Sequence, residues 1–191
     1  MYLLSAADCV DRVADLAFVT GRAKRAIEDH FDGNPELENV LASQGKDDLL
    51  AQLRNIIPRH VNCIFVRQAQ ALGLGHAILC AEPAVGDEPF AVLLPDDLMA
   101  GRPGPTKDLV QHFYATEKSC FSVARVAKED VHRYGIIKPV SNASGGFVQI
   151  SGIVEKPGPD GAPSDLAAIG RYVFNPEIFD HLKTQSAGVG G

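Results

Sequence analysis

Residues 90–94, Phe-Ala-Val-Leu-Leu, are apolar at every position and stop at Pro95-Asp96-Asp97. A strand with one solvated face alternates apolar and polar side chains, so an unbroken apolar run of this length reads as a strand covered on both faces. Such a strand belongs in the middle of a sheet flanked by helices. The surrounding chain agrees, because helical and strand-like segments alternate through its first two-thirds, the pattern of a layered α/β fold with a mostly parallel sheet. No internal repeat or low-complexity block interrupts it.

In order, the pattern predicts a helix over 3–13, a short strand over 16–20 closed by Gly21, and a charged helix over 22–31. Residues 36–57 place Leu37, Val40, Leu41, Leu49, Leu50, Leu53, Ile56 and Ile57 at three- and four-residue spacings. With Gly45 as a break and Pro58 as a stop, that is two helices or one kinked helix. A strand over 61–66 follows, then a Gly73-Leu74-Gly75 turn and a helix from His76 to Cys80 that ends before Pro83. A helix over 107–117 carries Leu109, Val110, Phe113 and Tyr114 on one face, and 120–126 is another strand. Beyond it the style changes to strands over 135–140, 147–155 and 168–174 joined by Gly/Ser/Pro-rich loops. Asn175-Pro176-Glu177 has the cap, early proline and early acid of a helix start, and 186–191 reads as a flexible end.

A chain of 191 residues, 46% apolar and 22% charged, has enough length to bury a core without disulfide or metal staples, and it is read as one domain over 1–191. Its net charge of −6, with no basic stripe, argues against nucleic acid or an anionic membrane as partner. Any phosphate must therefore be gripped locally. No apolar stretch approaches the roughly 18–20 residues of a membrane span, and no signal-peptide pattern opens the chain, which points to the cytoplasm. Cys9, Cys63, Cys80 and Cys120 are widely spaced, as reduced core thiols would be.

Four places could carry chemistry. Gly73-Leu74-Gly75-His76 between a strand and a helix lets backbone approach a ligand closely, although a lone G-x-G alone reads as a tight turn. Asp96 and Asp97 lie past the carboxyl end of a buried strand, where open α/β sheets place ligand crevices. They suit Mg²⁺, which takes one or two carboxylates plus phosphate oxygens, or equally a helix cap or solvated turn. Glu155-Lys156-Pro157 ends another apolar strand; consecutive strand side chains point to opposite faces, so the two charges need not pair. One could accept from sugar hydroxyls and the other neutralise phosphate, while the plain alternative is a surface charge pair. Gln68 could read a base edge or simply close the strand over 61–66. The histidines His30, His60, His76, His112, His132 and His181 have no metal-ligand spacing and read as structural or surface residues.

Taken together and in order, Val66-Arg67-Gln68, Gly73-Leu74-Gly75-His76-Ala77, Gly86-Asp87-Glu88-Pro89, Leu94-Pro95-Asp96-Asp97, Tyr134-Gly135, Val154-Glu155-Lys156-Pro157 and Gly170-Arg171-Tyr172-Val173 resemble the bacterial UTP–glucose-1-phosphate uridylyltransferases. The resemblance spans about 16–179. It implies a Rossmann-like nucleotide-diphospho-sugar transferase fold, with a mostly parallel mixed sheet and flanking helices. It also implies the joining of UTP to glucose 1-phosphate with Mg²⁺, giving UDP-glucose and pyrophosphate, and a homo-oligomer. By the same resemblance Gln68 and the Gly73 backbone contact uracil, Asp96 carries the metal, and Asp97 is a metal or ribose-side neighbour. Gly135 and Glu155 line the glucose site, and Lys156 meets the sugar phosphate.

The same family opens with a strand, a G-x-G-T-R loop and a P-K-E-M-L-P segment that grip the triphosphate, and this chain contains neither motif. A D/E-I-Q-L-T-D segment and a later metal-binding aspartate at the other end are absent too. The expectation is the middle of such an enzyme, short of a central-sheet strand. Alternatives are a related transferase using another nucleotide and sugar 1-phosphate, or a non-catalytic sugar-nucleotide-binding fragment.

Overall fold

The computed structural model describes residues 2–5, 14–100, 104–140 and 146–185. Its elements run β1 (Tyr2–Ser5), β2 (Asp15–Thr20), α1 (Arg25–Phe31), α2 (Pro35–Ser43), α3 (Asp47–Arg54), β3 (Asn62–Arg67), α4 (Gly73–Cys80), α5 (Glu82–Val85) and β4 (Phe90–Leu93). They continue with α6 (Pro105–Thr116), β5 (Cys120–Arg125), a 3-10 helix (Lys128–Arg133), β6 (Gly135–Pro139), β7 (Ile150–Glu155), β8 (Leu166–Phe174) and α7 (Ile178–Thr184). The chain clusters into two compact units, Met1–Leu93 with Phe174–Gly191, and Leu94–Val173.

In the first unit β2 pairs in parallel with β3 and antiparallel with β1, which in turn pairs antiparallel with β4. Here the helix expected over 3–13 is corrected: residues 2–5 are strand, and 6–13 lie outside the described residues. The backbone of residues 2–5 forms ladders with both β2 and β4, and two rows of hydrogen bonds outweigh a weak local helix preference. As expected of a doubly covered strand, Phe90, Ala91 and Val92 are buried. Phe90 stacks on Phe179 with ring centroids 5.1 Å apart, and Phe18 packs against Phe31 and Phe65. Phe18, Phe90 and Phe179, with Ala17, Val19, Ala77, Ile78 and Ala81, are buried in the core of this unit, and Phe31 and Phe65 are half-buried against it. Buried Thr20 donates from Oγ1 to Glu28 at 2.7 Å, so its hydroxyl is satisfied.

The 36–57 region resolves into two helices, with Gly45 at φ 66° between them. Asn34 caps α2 by accepting from the Leu37 N–H at 3.0 Å, and Pro35 occupies its first turn. The apolar stripe of this pair stays largely in solvent: Leu37, Val40, Leu49 and Ile56 are all exposed. Two other boundaries move. The glycines placed in a turn before His76 form the first turn of α4 itself, and Pro83 sits at the start of α5, where a missing N–H costs nothing. Asn175-Pro176-Glu177 makes a turn whose Asn175 carbonyl accepts from Ile178 N–H at 3.1 Å, so α7 starts just beyond.

In the second unit β6 pairs antiparallel with β7 and with β8, and β8 antiparallel with β5. Among the described pairs only β2 with β3 is parallel; this later region advances by short connections that need no helical crossover. Its core gathers Val131, Ile136 and Ala167, with Val126, Tyr134 and Ala162 packed around them. Leu109, Val110 and Phe113 form the buried face of α6, whereas Tyr114 is exposed. Residues 147–149 precede β7 instead of extending it. No helix among the described residues is long and apolar enough to cross a membrane. Cys63, Cys80 and Cys120 are free and half-buried, while Cys9 and the 186–191 end lie outside the described residues.

Candidate functional site

In the first unit the chain leaves β3 at Gln68, whose backbone N–H still donates to the Thr20 carbonyl at 2.9 Å. That bond extends the sheet ladder by one residue and fixes where the side chain starts. Gln68 Nε2 then donates to the Gly73 carbonyl at 3.1 Å and lies 3.0 Å from His76 Nδ1. Gly73 has φ 87°, a conformation that costs a residue with a Cβ free energy and a glycine almost none. Gly75 matters for a different reason, since a Cβ there would stand 2.9 Å from Leu182 Cδ2 and its bareness lets α4 and α7 approach. The two glycines of the G-x-G stretch are thus separated into one that turns the chain beside Gln68 and one that packs helices.

In the second unit Leu94-Pro95-Asp96-Asp97 is a turn, with Asp97 N–H donating to the Leu94 carbonyl at 3.3 Å. Three further bonds tie it to β8. Leu94 N–H donates to the Gly170 carbonyl at 2.8 Å, Gly170 N–H donates to Asp97 Oδ2 at 2.8 Å, and Arg171 Nη1 donates to the Leu94 carbonyl at 3.0 Å. No side chain fits at position 170, where a Cβ would meet Asp97 Cβ at 2.8 Å and Leu94 Cβ at 2.9 Å. The two aspartates therefore differ in kind. Asp97 is half-buried and committed to a backbone amide, whereas Asp96 is exposed and has no hydrogen bond or ion pair among the described residues.

Gly135 and Glu155 are directly paired across β6 and β7. A Cβ at Gly135 would lie 3.1 Å from Glu155 Oε2, so the glycine keeps the space over that carboxylate open. Lys156 departs from strand geometry with φ 45°, held by its N–H donating to the Tyr134 carbonyl at 2.9 Å and followed by buried Pro157. The alternation of strand faces leaves open whether residues 155 and 156 pair, and here they do. Once Lys156 is left-handed the alternation of strand faces no longer applies, and its Nζ comes to 3.6 Å from Glu155 Oε1. Both side chains remain well exposed, 63% and 69%, so the pair contributes little to stability and both charges are accessible to a ligand.

Tyr172, two residues beyond Gly170 on β8, links these pieces. Its hydroxyl pKa is raised, first by burial and then by the negative charges of Asp97, Glu155 and Asp96. Three carboxylates thus act on one phenol. Asp96, Asp97, Glu155 and Lys156 belong to one neighbourhood of the second unit, while Gln68, Gly73 and His76 form a hydrogen-bonded cluster in the first. Reading the sequence missed His76, Gly170, Arg171 and Tyr172 as working parts. His76 was findable, since it stands three residues after Gly73 and a helix brings such positions to one face. Among the described residues no group of three or more His, Cys, Asp or Glu side chains is placed to hold a metal ion.

A sequence profile described as nucleotidyl transferase matches residues 22–188. The chain belongs to the nucleotidyl transferase family. Within that family it is similar to the UTP–glucose-1-phosphate uridylyltransferase of Bacillus subtilis (strain 168), 45% identical over 182 residues, which cover 94% of this chain and 61% of that protein. A UTP-bound UGPase from Acinetobacter baumannii shares its fold with a TM-score of 0.83 at 39% identity, over 90% of this chain and 61% of that one. A UDP-glucose pyrophosphorylase complexed with UDP-glucose gives a TM-score of 0.78 at 39% identity, over 91% of this chain and 63% of that one. The α/β nucleotidyltransferase fold implied by the sequence resemblance is the fold observed. This nucleotidyl transferase chain spans 61% of the length of the curated relative it matches.

Proposed function

We propose that the chain serves the transfer of a uridylyl group from UTP to glucose 1-phosphate, yielding UDP-glucose and pyrophosphate in the cytoplasm. The observation that carries this reading is the left-handed backbone of Lys156 beside Glu155 and bare Gly135. A carboxylate able to accept from sugar hydroxyls and an ammonium able to meet a phosphate stand at one strand end. Backbone strain of this kind persists where the surroundings enforce it, often at ligand sites.

The sugar phosphate oxygen forms a bond to the α-phosphorus as the bond from that phosphorus to the bridging oxygen breaks and pyrophosphate leaves. The attacking oxygen is already ionised, so no general base is required. Both reactants are anions, and at ~4 Å with partial screening each pair of unit charges repels by roughly 4 kcal/mol. Lys156 offsets part of this and holds the attacking phosphate, while Glu155 orients the sugar across from Gly135. In the same proposal Gln68 and Gly73 hold the uracil, and Asp97 keeps the Leu94–Asp97 turn in place from the ribose side.

Asp96 fits Mg²⁺ as a hard, exposed carboxylate that, among the described residues, has no protein partner and no closed cage of further ligands around it, as suits an ion that keeps waters and phosphate oxygens. Bound there, the ion would neutralise charge building on the transferred phosphoryl group. A coupled pyrophosphate-release assay with several nucleotide and sugar-phosphate pairs tests the proposal. Preference for UTP with glucose 1-phosphate is expected; preference for another pair would remove the assignment. Binding of UDP-glucose without turnover would favour a non-catalytic sugar-nucleotide-binding role.

A further inference from the structure

The Gln68 amide is held from one side only. The Gly73 carbonyl can accept but never donate, so the amide atom 3.1 Å from it is the NH₂ group, which fixes the orientation of the amide. The same nitrogen lies 3.0 Å from His76 Nδ1, which must then accept, placing the ring proton on Nε2. Both amide protons are thereby committed, one to Gly73 and one to His76. The carbonyl Oε1 of Gln68 has no partner among the described residues. Beside it, α4 begins without a side-chain cap, at the exposed backbone of Gly73.

We propose that His76 is a positioning residue that locks the Gln68 amide so that only its oxygen is left for a ligand. An acceptor beside backbone N–H donors complements an edge in which a ring N–H adjoins a carbonyl, as in uracil or thymine. Cytosine offers the reverse, a ring acceptor beside an amino donor, and would leave Gln68 Oε1 facing a lone pair. Rejection works here as much as attraction does. The inference rests on the uridylyl-transfer reading for its ligand, and adds to it the residue that sets the choice of base. Removing the His76 acceptor frees one amide proton and lets the amide turn at the expense of the single remaining bond to Gly73.

Two measurements on the full chain test this. Long-range proton–nitrogen NMR of the unliganded protein should find His76 neutral, protonated at Nε2 and unprotonated at Nδ1. Calorimetric titration with UTP and CTP should then show UTP bound more tightly, with the UTP/CTP ratio falling about fivefold in His76→Leu, the scale of one neutral hydrogen bond. His76→Asn, whose side-chain oxygen can accept near the Nδ1 position, should restore most of the ratio, which loss of folding could not do. An Nδ1-protonated His76, or equal UTP and CTP affinity in a wild-type chain that binds both, would overturn the role of His76 alone. If the wild-type chain binds neither nucleotide while His76 shows the expected tautomer, the uridylyl-transfer reading fails and carries the base assignment with it.

Discussion

The cluster around Gln68 and the cluster around Lys156 solve opposite problems. Gln68, Gly73 and His76 include no carboxylate or ammonium and are already hydrogen-bonded to one another, leaving one acceptor with a defined orientation. Asp96, Glu155 and Lys156 are charged and exposed, and among the described residues their side chains make one ion pair, the 3.6 Å contact of Lys156 with Glu155. Reading a flat base requires fixed neutral groups, because selectivity comes from the cost of a mismatched partner. Gripping phosphate and sugar hydroxyls requires charge that is not yet spent. The contrast therefore predicts that substitutions in the charged cluster will cost activity without stability, and that substitutions of the glycines holding each cluster will cost stability.

The strongest challenge to that division is Lys156. Replacing it with alanine should lower kcat/KM for uridylyl transfer by about 10²–10³-fold, as loss of one charged group at a reacting phosphate does, while leaving the thermal midpoint almost unchanged because the side chain is 63% exposed. Lys156→Gly should lose as much activity yet raise stability by about 1 kcal/mol in denaturant unfolding, since glycine tolerates φ 45°. A drop in stability with Lys156→Gly would contradict the strain assigned to that backbone.

Gly170→Ala should destabilise the chain by about 2–3 kcal/mol, because the new methyl collides with Leu94 and Asp97, both tied to β8 by hydrogen bonds. Melting curves alone would show it. Gly73→Ala should cost about 1 kcal/mol through its φ of 87°, and should weaken uridine nucleotides more than glucose 1-phosphate, widening the separation between the clusters.

The smallest effect concerns pH. Burial raises the Cys120 thiol from its usual 9.0 to about 11, so the folded chain favours the protonated form. Its stabilising contribution is complete below pH 9 and is lost as pH climbs toward 11. Unfolding of Cys120→Ala followed by denaturant across that range should show a flatter alkaline decline than wild type.

Much of the framework was legible in the residues themselves. The unbroken apolar run at residues 90–94, the Gly45 break and the strand just before Gln68 appear within a residue or so of where their patterns placed them, because burial period and glycine conformations are local properties. Residues 2–5 read locally as helix since strand pairing with β2 and β4 is a long-range event that no local pattern reports. At the site, the residue types of Asp96, Glu155 and Lys156 suggested charge chemistry, but nothing in Asp96-Asp97 said which carboxylate was already committed. That depended on Gly170, 73 residues away along the chain. Whether Glu155 and Lys156 pair is left open by the sequence for the opposite reason: a positive φ at a lysine before proline breaks the alternation on which strand reading relies.

Calorimetric titration of UDP-glucose and of glucose 1-phosphate into the wild-type, Gln68→Leu and Lys156→Ala chains addresses the two-cluster division at its centre. Wild type is expected to bind UDP-glucose, Gln68→Leu to weaken UDP-glucose while sparing glucose 1-phosphate, and Lys156→Ala to weaken both. A wild-type chain that does not bind UDP-glucose, or a Gln68→Leu chain that loses both ligands equally, would contradict it.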